Sequence, residues 1–300
     1  MSSRERQNFV KGLLFVSPWL IGFLVFTLVP VGLSLYYSFC DFSLIERDTA
    51  GKTQAIWVGT ENYRQLFQDR EFYRTLKNTG LYAILSLPAG MLVSIGLALM
   101  LNAPIRGQAI YRTIIFLPSL VPVVASAMVW MWLFNARLGF FNQLLATIGI
   151  DGPAWIGDKK WALPALAMMS LWGVGNTVVI YLAGLQDIPR DLYEAAEIDG
   201  AGAIRRLFNV TLPMLSPVIF FNLIMALIGT LQVFALPFIM TGGGPERSTY
   251  MYTQYLYEKA FAYLQMGYAS AMAWVQLLII LGLTAFAFWT SKRWVHYQGR

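Results

Sequence analysis

Tyr193–Pro213 reads YEAAEIDGAGAIRRLFNVTLP, a polar, helix-prone stretch held between two long apolar runs, Leu163–Leu185 and Leu212–Met240. A chain that only has to reverse at a membrane surface does not need such a segment. Just upstream, Pro189 suits the first turn of a helix, where its missing N–H costs nothing. Asp191 and Glu194 follow early in that helix, where negative charge is favourable. Leu192, Ala195, Ala196 and Ile198 leave a slim, mostly small-residue surface that a backbone or a groove can approach closely. Gly200 ends the helix, because it accepts left-handed geometry at little cost. A second short helix is expected over Ala203–Asn209, carrying Arg205 and Arg206, before Leu212 and Pro213 re-enter the apolar run. Two readings fit this helix–Gly–helix elbow. It is a rigid lever that slots into the cleft of another protein, or an amphipathic connector resting on lipid headgroups.

Outward from the elbow, the chain is dominated by apolar runs. Hydrophobic residues make up 57% and charged residues 13%, with mean hydropathy +0.55. That excludes an ordinary soluble domain and a disordered chain. A bilayer-spanning helix needs about 20 mostly apolar residues. Six segments meet that length: Gly12–Cys40, Asn78–Leu101, Thr113–Phe134, Leu163–Leu185, Leu212–Met240 and Gly267–Ser291, and none contains Asp, Glu, Lys, Arg or His. Prolines such as Pro18, Pro88, Pro118, Pro122 and Pro217 fall inside or near these runs and predict kinks rather than breaks. The first run is too long for a signal-peptide core and lacks a small-residue exit site, so it reads as an uncleaved span. The fold class is therefore all-α and membrane-embedded, with six helices in one domain over 12–291, short ends at 1–11 and 292–300, and the elbow loop at 186–211 between helices four and five.

Placing both termini inside gives the inner segments eleven Lys and Arg against six Asp and Glu, and the outer segments eleven against ten over a greater length. The bias favours termini on the cytoplasmic side. The net charge of +6 is topological on this reading. No basic–aromatic nucleic-acid motif accompanies it. Cys40 is the single cysteine and permits no internal disulfide. His296, the single histidine, sits beside Lys292 and Arg293 as a solvated tail residue. No protein-only metal site is expected, since such sites want several His or Cys ligands. The outer segment Trp57–Lys77 reads as one amphipathic helix with Tyr63, Leu66, Phe67, Phe72, Tyr73 and Leu76 on its apolar face and Thr60 as a cap. It either lies on the bilayer or offers a ledge to an external partner.

The energy source is the next question. Ion-coupled carriers usually keep acids or histidines within the membrane, and the six runs have none. The phosphate-cradling G-x-x-x-x-G-K-[ST] loop is absent too. The chain is then either a passive channel or self-contained carrier, or a subunit to which a second protein supplies the work.

The order Glu194-Ala195-Ala196, Gly200, Val210, Leu212, Pro213 resembles the signature loop of binding-protein-dependent ABC importer permeases, with Val210 in place of Ile. YLAGLQDIPRDLYEAAEIDGA, the MTGGGP of Met240–Pro245, FVSPWLIGFLVFTLVP in the first run and WVGTENY at Trp57–Tyr63 resemble the carbohydrate branch, that of the maltose and glycerol-3-phosphate systems. The resemblance implies a type I importer permease fold in a bacterial inner membrane. It implies a sister permease, an ATPase dimer that binds the ATP and Mg, and an extracytoplasmic solute-binding protein as partners, with no cofactor in this chain. It assigns ATPase coupling to Glu194, Ala195, Ala196, Asp199, Gly200, Leu212 and Pro213.

A solute path between two permeases would be lined by the fourth run. There Met169, Trp172, Gly173 and Asn176 fall at i, i+3, i+4 and i+7 on one helical face. Trp172 can stack on a sugar ring, and Asn176 can both donate and accept hydrogen bonds. Asn222, Thr230 and Gln232 in the fifth run are further candidates. All of these also fit interhelical packing and polar glue. Gly242, Gly243, Gly244 and Pro245 read as a flexible turn or as a contact for the external binding protein or the sister permease.

Overall fold

The computed structural model describes residues 3–43, 54–104 and 106–296. Of the short ends expected at 1–11 and 292–300, residues 1, 2 and 297–300 lie outside that set. Packing groups the chain into two compact units, one of Met1–Asp69 with Leu256–Leu278 and the other of Arg70–Tyr255 with Ile279–Arg300. Among the described residues, four helices are long and apolar enough to cross a membrane, or six if two sharply bent pairs each count as one span.

In the first unit, helix runs from Ser3 to Phe23, through a π-turn at Leu24–Leu28 and on over Val29–Ser38. The helix thus begins well before the Gly12 expected from hydropathy, carrying Arg4, Arg6 and Lys11 on its first turns. Its apolar residues are exposed along its length, with Phe15 89% accessible, as suits a helix that meets lipid or another subunit. Beyond it, Cys40–Asp41 pairs antiparallel with Ile56–Trp57. Asn62 locks this junction by donating to the carbonyls of Ser38 and Cys40 at 2.9 and 2.8 Å.

The single amphipathic helix expected over Trp57–Lys77 is instead two. Glu61–Gln68 ends at Asp69, whose backbone is extended, and Arg70 opens a new helix. Thr60 stands at the N-cap without a side-chain capping bond. Leu66 and Phe72 are buried while Phe67 and Tyr73 are exposed, so the six apolar residues do not share one face.

In the second unit, Arg70–Asn102 is one continuous helix. Its interior Pro88 does not interrupt it, a proline placement that membrane helices tolerate. The third run is broken: Gln108–Leu120 and Val123–Leu133 meet at 99°. Val121 is extended there, because the ring of Pro122 disfavours helix in the residue before it. The fourth run bends by 52° between Ala162–Gly173 and Gly175–Gln186, with no proline at the break. The fifth stays helical from Ala203 to Leu231. It stops at Gln232 rather than running on to Met240, and Ala235–Thr241 is a separate short helix. The sixth run, Met266–Ser291, is unbroken and runs from the first unit, to Leu278, into the second.

Two apolar clusters hold this unit. One gathers Tyr82, Trp130, Phe134, Leu166, Met169 and Met251. The other gathers Ala98, Val178, Tyr181, Leu182 and Leu215. The close approach that allows the second is at Gly175, where a Cβ would stand 2.8 Å from the carbonyl oxygen of Ile115 and 2.9 Å from Cα of Phe116.

Candidate functional site

The elbow is built from sequence-local chemistry. Pro189, extended, caps a helix over Arg190–Ile198, one residue earlier than its expected place in the first turn. At the other end Gly200 takes φ +72°. The N–H of Gly200 donates to Glu197 O at 3.0 Å and that of Ala201 to Ala196 O at 2.9 Å, the paired closure that a left-handed residue after a helix permits. Ala203–Arg206 is helical, but the expected stop at Asn209 does not occur. A π-turn at Leu207–Thr211 carries the helix straight into Leu212–Leu231. Leu212 and Pro213 therefore lie within one rod that begins at the elbow.

Two side-chain links brace the corner. Arg206 pairs with Glu197, and the hydroxyls of Tyr193 and Thr211 lie 3.0 Å apart. Glu194, Ala195, Asp199 and Gly200 are exposed and Ala196 is half-buried. The corner also exposes apolar side chains: Ile198 is 87% accessible, and Ile204, 75% accessible, lines a shallow surface together with the exposed Phe208. Contiguous exposed apolar groups on an otherwise polar loop mark an interaction surface.

A second feature is a cavity of about 290 Å³ walled by the Arg70–Asn102, Ala162–Gln186 and Ala203–Leu231 helices. Gly173, Asn222 and Thr230 line it, as do Ser86, Ser94, Ser170 and Thr177. The tightened 3-10 turn at Leu171–Gly173 and the bend that follows it undo the expected single face of the fourth run. Met169 points into the core at 5% accessibility and Trp172 stands edge-on to Trp130 with ring centres 6.2 Å apart. Asn176 and Gln232 are exposed and are not among the lining residues. The wall that sequence reasoning missed comes from the second run, where Tyr82, Ser86, Gly90 and Ser94 recur every four residues. That spacing is the signal that would have found it.

Four of the lining hydroxyls have their protons already committed. Ser86 donates to Tyr82 O, Ser94 to Gly90 O, Ser170 to Ala167 O and Thr230 to Ala226 O. The Asn222 amide donates to Val218 O at 2.9 Å. Such back-bonding to the preceding turn satisfies the donor and leaves the oxygens as acceptors. Among the described residues, no Asp, Glu, Lys, Arg or His lines the cavity.

The glycine loop is not a loose turn. Gly243 is buried at φ +89°, with the Tyr250 ring 2.8 Å from where a Cβ would stand. Thr249 donates to Gly244 O at 2.7 Å and lies 2.7 Å from the Thr241 hydroxyl, while Gln254 donates to Gly242 O at 3.1 Å. Gly242 is exposed, and Gly244 and Pro245 are half-buried. Thr249→Val is expected to lower stability by about 1 kcal/mol, because it leaves the half-buried Gly244 carbonyl without its Thr249 partner. A melting curve of the purified variant identical to that of the wild type would show that the loop does not depend on this bond.

The family of binding-protein-dependent transport system inner membrane components matches residues 87–296. The chain is 41% identical over 98% of its length, and 94% of the relative's, to a probable ABC transporter permease protein, YesP, of Bacillus subtilis. It is 36% identical to the sulfoquinovosyl glycerol transport system permease protein SmoG of Agrobacterium fabrum, covering 91% of this chain and 87% of that one. A crystal structure of a bacterial alginate ABC transporter, in complex with an alginate pentasaccharide-bound periplasmic protein, superposes with TM-score 0.81 at 26% identity, covering 96% of each chain. With its elbow after the fourth run and its type I permease fold, the chain belongs to the binding-protein-dependent inner membrane components, the permease subunits of ABC importers.

Proposed function

We propose that this chain forms one half of the solute path of an ATP-driven importer for a sugar or sugar-like solute, and that the elbow at 190–206 is where a separate ATPase pushes. The reading rests above all on the continuity of Ala203–Leu231. One rod joins the exposed corner to Asn222 and Thr230 in the cavity wall, so force applied at Ala203–Arg206 reaches the path without an intervening loop. Glu194, Ala195, Ala196 and Asp199 supply the contact surface, and the exposed Ile198 and Ile204 add apolar grip. The acceptor-rich, uncharged cavity suits a solute that presents hydroxyl donors. Relatives named for sulfoquinovosyl glycerol and alginate transport support a carbohydrate-like substrate.

A sister permease completes the path, an extracytoplasmic binding protein delivers the solute, and the ATPase dimer binds ATP and Mg, with no cofactor in this chain. The membrane is the bacterial inner membrane, with both termini on the cytoplasmic side. The test is reconstitution in liposomes. The complete complex is expected to accumulate sugar only with ATP and the binding protein, and this chain alone to accumulate none. Uphill uptake by the chain alone on an ion gradient would overturn the proposal.

A further inference from the structure

The second unit carries a groove of about 660 Å³ that the transport reading leaves unused. Its character changes abruptly along the helix that forms one wall. Lys77 lies at the top, with Leu81, Ile84 and Leu85 four, seven and eight residues further on, so one helical face passes from a cation to aliphatic carbon within a turn. At 1.5 Å per residue, Leu85 lies about 12 Å below Lys77 along the axis. Leu163 and Pro164, at the start of the fourth run, form the opposite apolar wall, and Lys160 stands above them. Ile84 is 69% accessible, so the apolar part of the groove is open.

The other charges at the mouth are already paired. Glu71 lies between Arg74 at 2.9 Å and Arg247 at 2.8 Å, and Lys159 is held by Glu246 at 2.9 Å. Lys77 and Lys160 are exposed and make no ion pair among the described residues. A hydroxyl accompanies them: Ser248 lines the same groove, and its Oγ is shielded without a hydrogen-bond partner.

We infer that this groove is a binding site for one anionic phospholipid, with its phosphate between Lys77 and Lys160 and an acyl chain laid along Leu81, Ile84 and Leu85. Two unpaired ammonium groups supply charge for a phosphate and none for a zwitterionic headgroup's own cation. The aliphatic track directly beneath them matches a hydrocarbon chain attached to that phosphate. A free phosphate ion would use the first feature and leave the second exposed to water. An acidic loop of a partner protein would meet apolar walls where it needs hydrogen-bond donors. The inference is independent of which solute is carried.

Native mass spectrometry of the full chain in phosphatidylcholine nanodiscs doped with phosphatidylglycerol tests it. The wild type is expected to retain phosphatidylglycerol in preference to phosphatidylcholine. A juxtamembrane cation contributes about 1 kcal/mol toward an anionic lipid, about fivefold in affinity. Lys77→Gln with Lys160→Gln is therefore expected to lose that preference by about thirtyfold, and Lys77→Arg with Lys160→Arg to keep it. Ile84→Asp is expected to weaken retention as well, while added inorganic phosphate does not displace the lipid. Equal retention of both lipids by the wild type, an unchanged preference in the double Gln variant, or displacement by inorganic phosphate would each overturn the site.

Discussion

Gly200→Asp is expected to leave the chain folded and inserted yet to uncouple transport. A Cβ at Gly200 meets nothing within 4 Å, so the substitution clashes with no part of the chain itself. The internal cost is the left-handed backbone at φ +72°, roughly 1–2 kcal/mol for a residue with a side chain and less for Asp, which tolerates this region better than most. What the substitution does change is the exposed corner, where it adds bulk and a negative charge between the two arms. Coupling energies between sites run to about 1–3 kcal/mol. Binding-protein-stimulated ATPase activity and uptake by the reconstituted complex are therefore expected to fall together by about fivefold to 150-fold. Gly200→Ala shares the backbone strain without the bulk and charge, and is expected to retain most activity. Wild-type values for both readouts in the Asp variant would remove the elbow from the mechanism.

The largest structural effect is expected from Gly175→Val. Here the added atoms meet backbone, not the end of a flexible side chain: the Ile115 carbonyl oxygen at 2.8 Å and Phe116 Cα at 2.9 Å. Overpacking a core with one or two methyl groups typically costs about 1–3 kcal/mol. With backbone on the other side there is less room to relax, so the upper end or beyond is expected. The measurement is the yield and melting temperature of monodisperse protein in detergent. Gly173→Val is the matched control. It lies two residues away, a Cβ there meets nothing within 4 Å, and it is expected to fold normally while filling part of the cavity. A Gly175→Val protein that melts with the wild type would mean that this crossing does not hold the second unit together.

These two glycines also mark what the sequence makes legible and what it hides. Gly200 is readable because its role is local. A helix-prone stretch with acids first and a glycine after its last apolar residue defines its own ends, and the structure closes it by hydrogen bonds within six residues. The six apolar runs are readable for a similar reason, since bilayer thickness sets a length that composition reveals.

Gly175 is not readable in that way. Nothing in LWGVGN says that the helix will break there. The bend accompanies the close approach of Ile115 and Phe116, a contact between residues about sixty positions apart. The same limit explains the misplaced face of Met169, Trp172 and Asn176, because a periodicity argument assumes an unbroken helix. It also explains the split at Asp69, where the apolar periodicity continues but the helix does not, and the early end at Leu231, where the hydropathy continues but the helix does not. One wall of the cavity is marked in the sequence by the four-residue spacing of Tyr82, Ser86, Gly90 and Ser94. It went unread because serine and glycine in a membrane helix are usually explained by packing.

Of the three walls around the cavity, two are mechanically unlike the third. The Ala162–Gln186 wall is jointed at Ser170–Val174, and the Arg70–Asn102 wall, though continuous, is not rooted in the elbow. The wall bearing Asn222 and Thr230 is a single 29-residue helix, about 43 Å long at 1.5 Å per residue. A shift of a few ångströms at its foot must reappear near its middle as a slip of the same size. Oxygens on that wall would then change register against those of Ser86 and Ser94. A solute bridging the two sets would be released by shear, with no need for the chamber to widen.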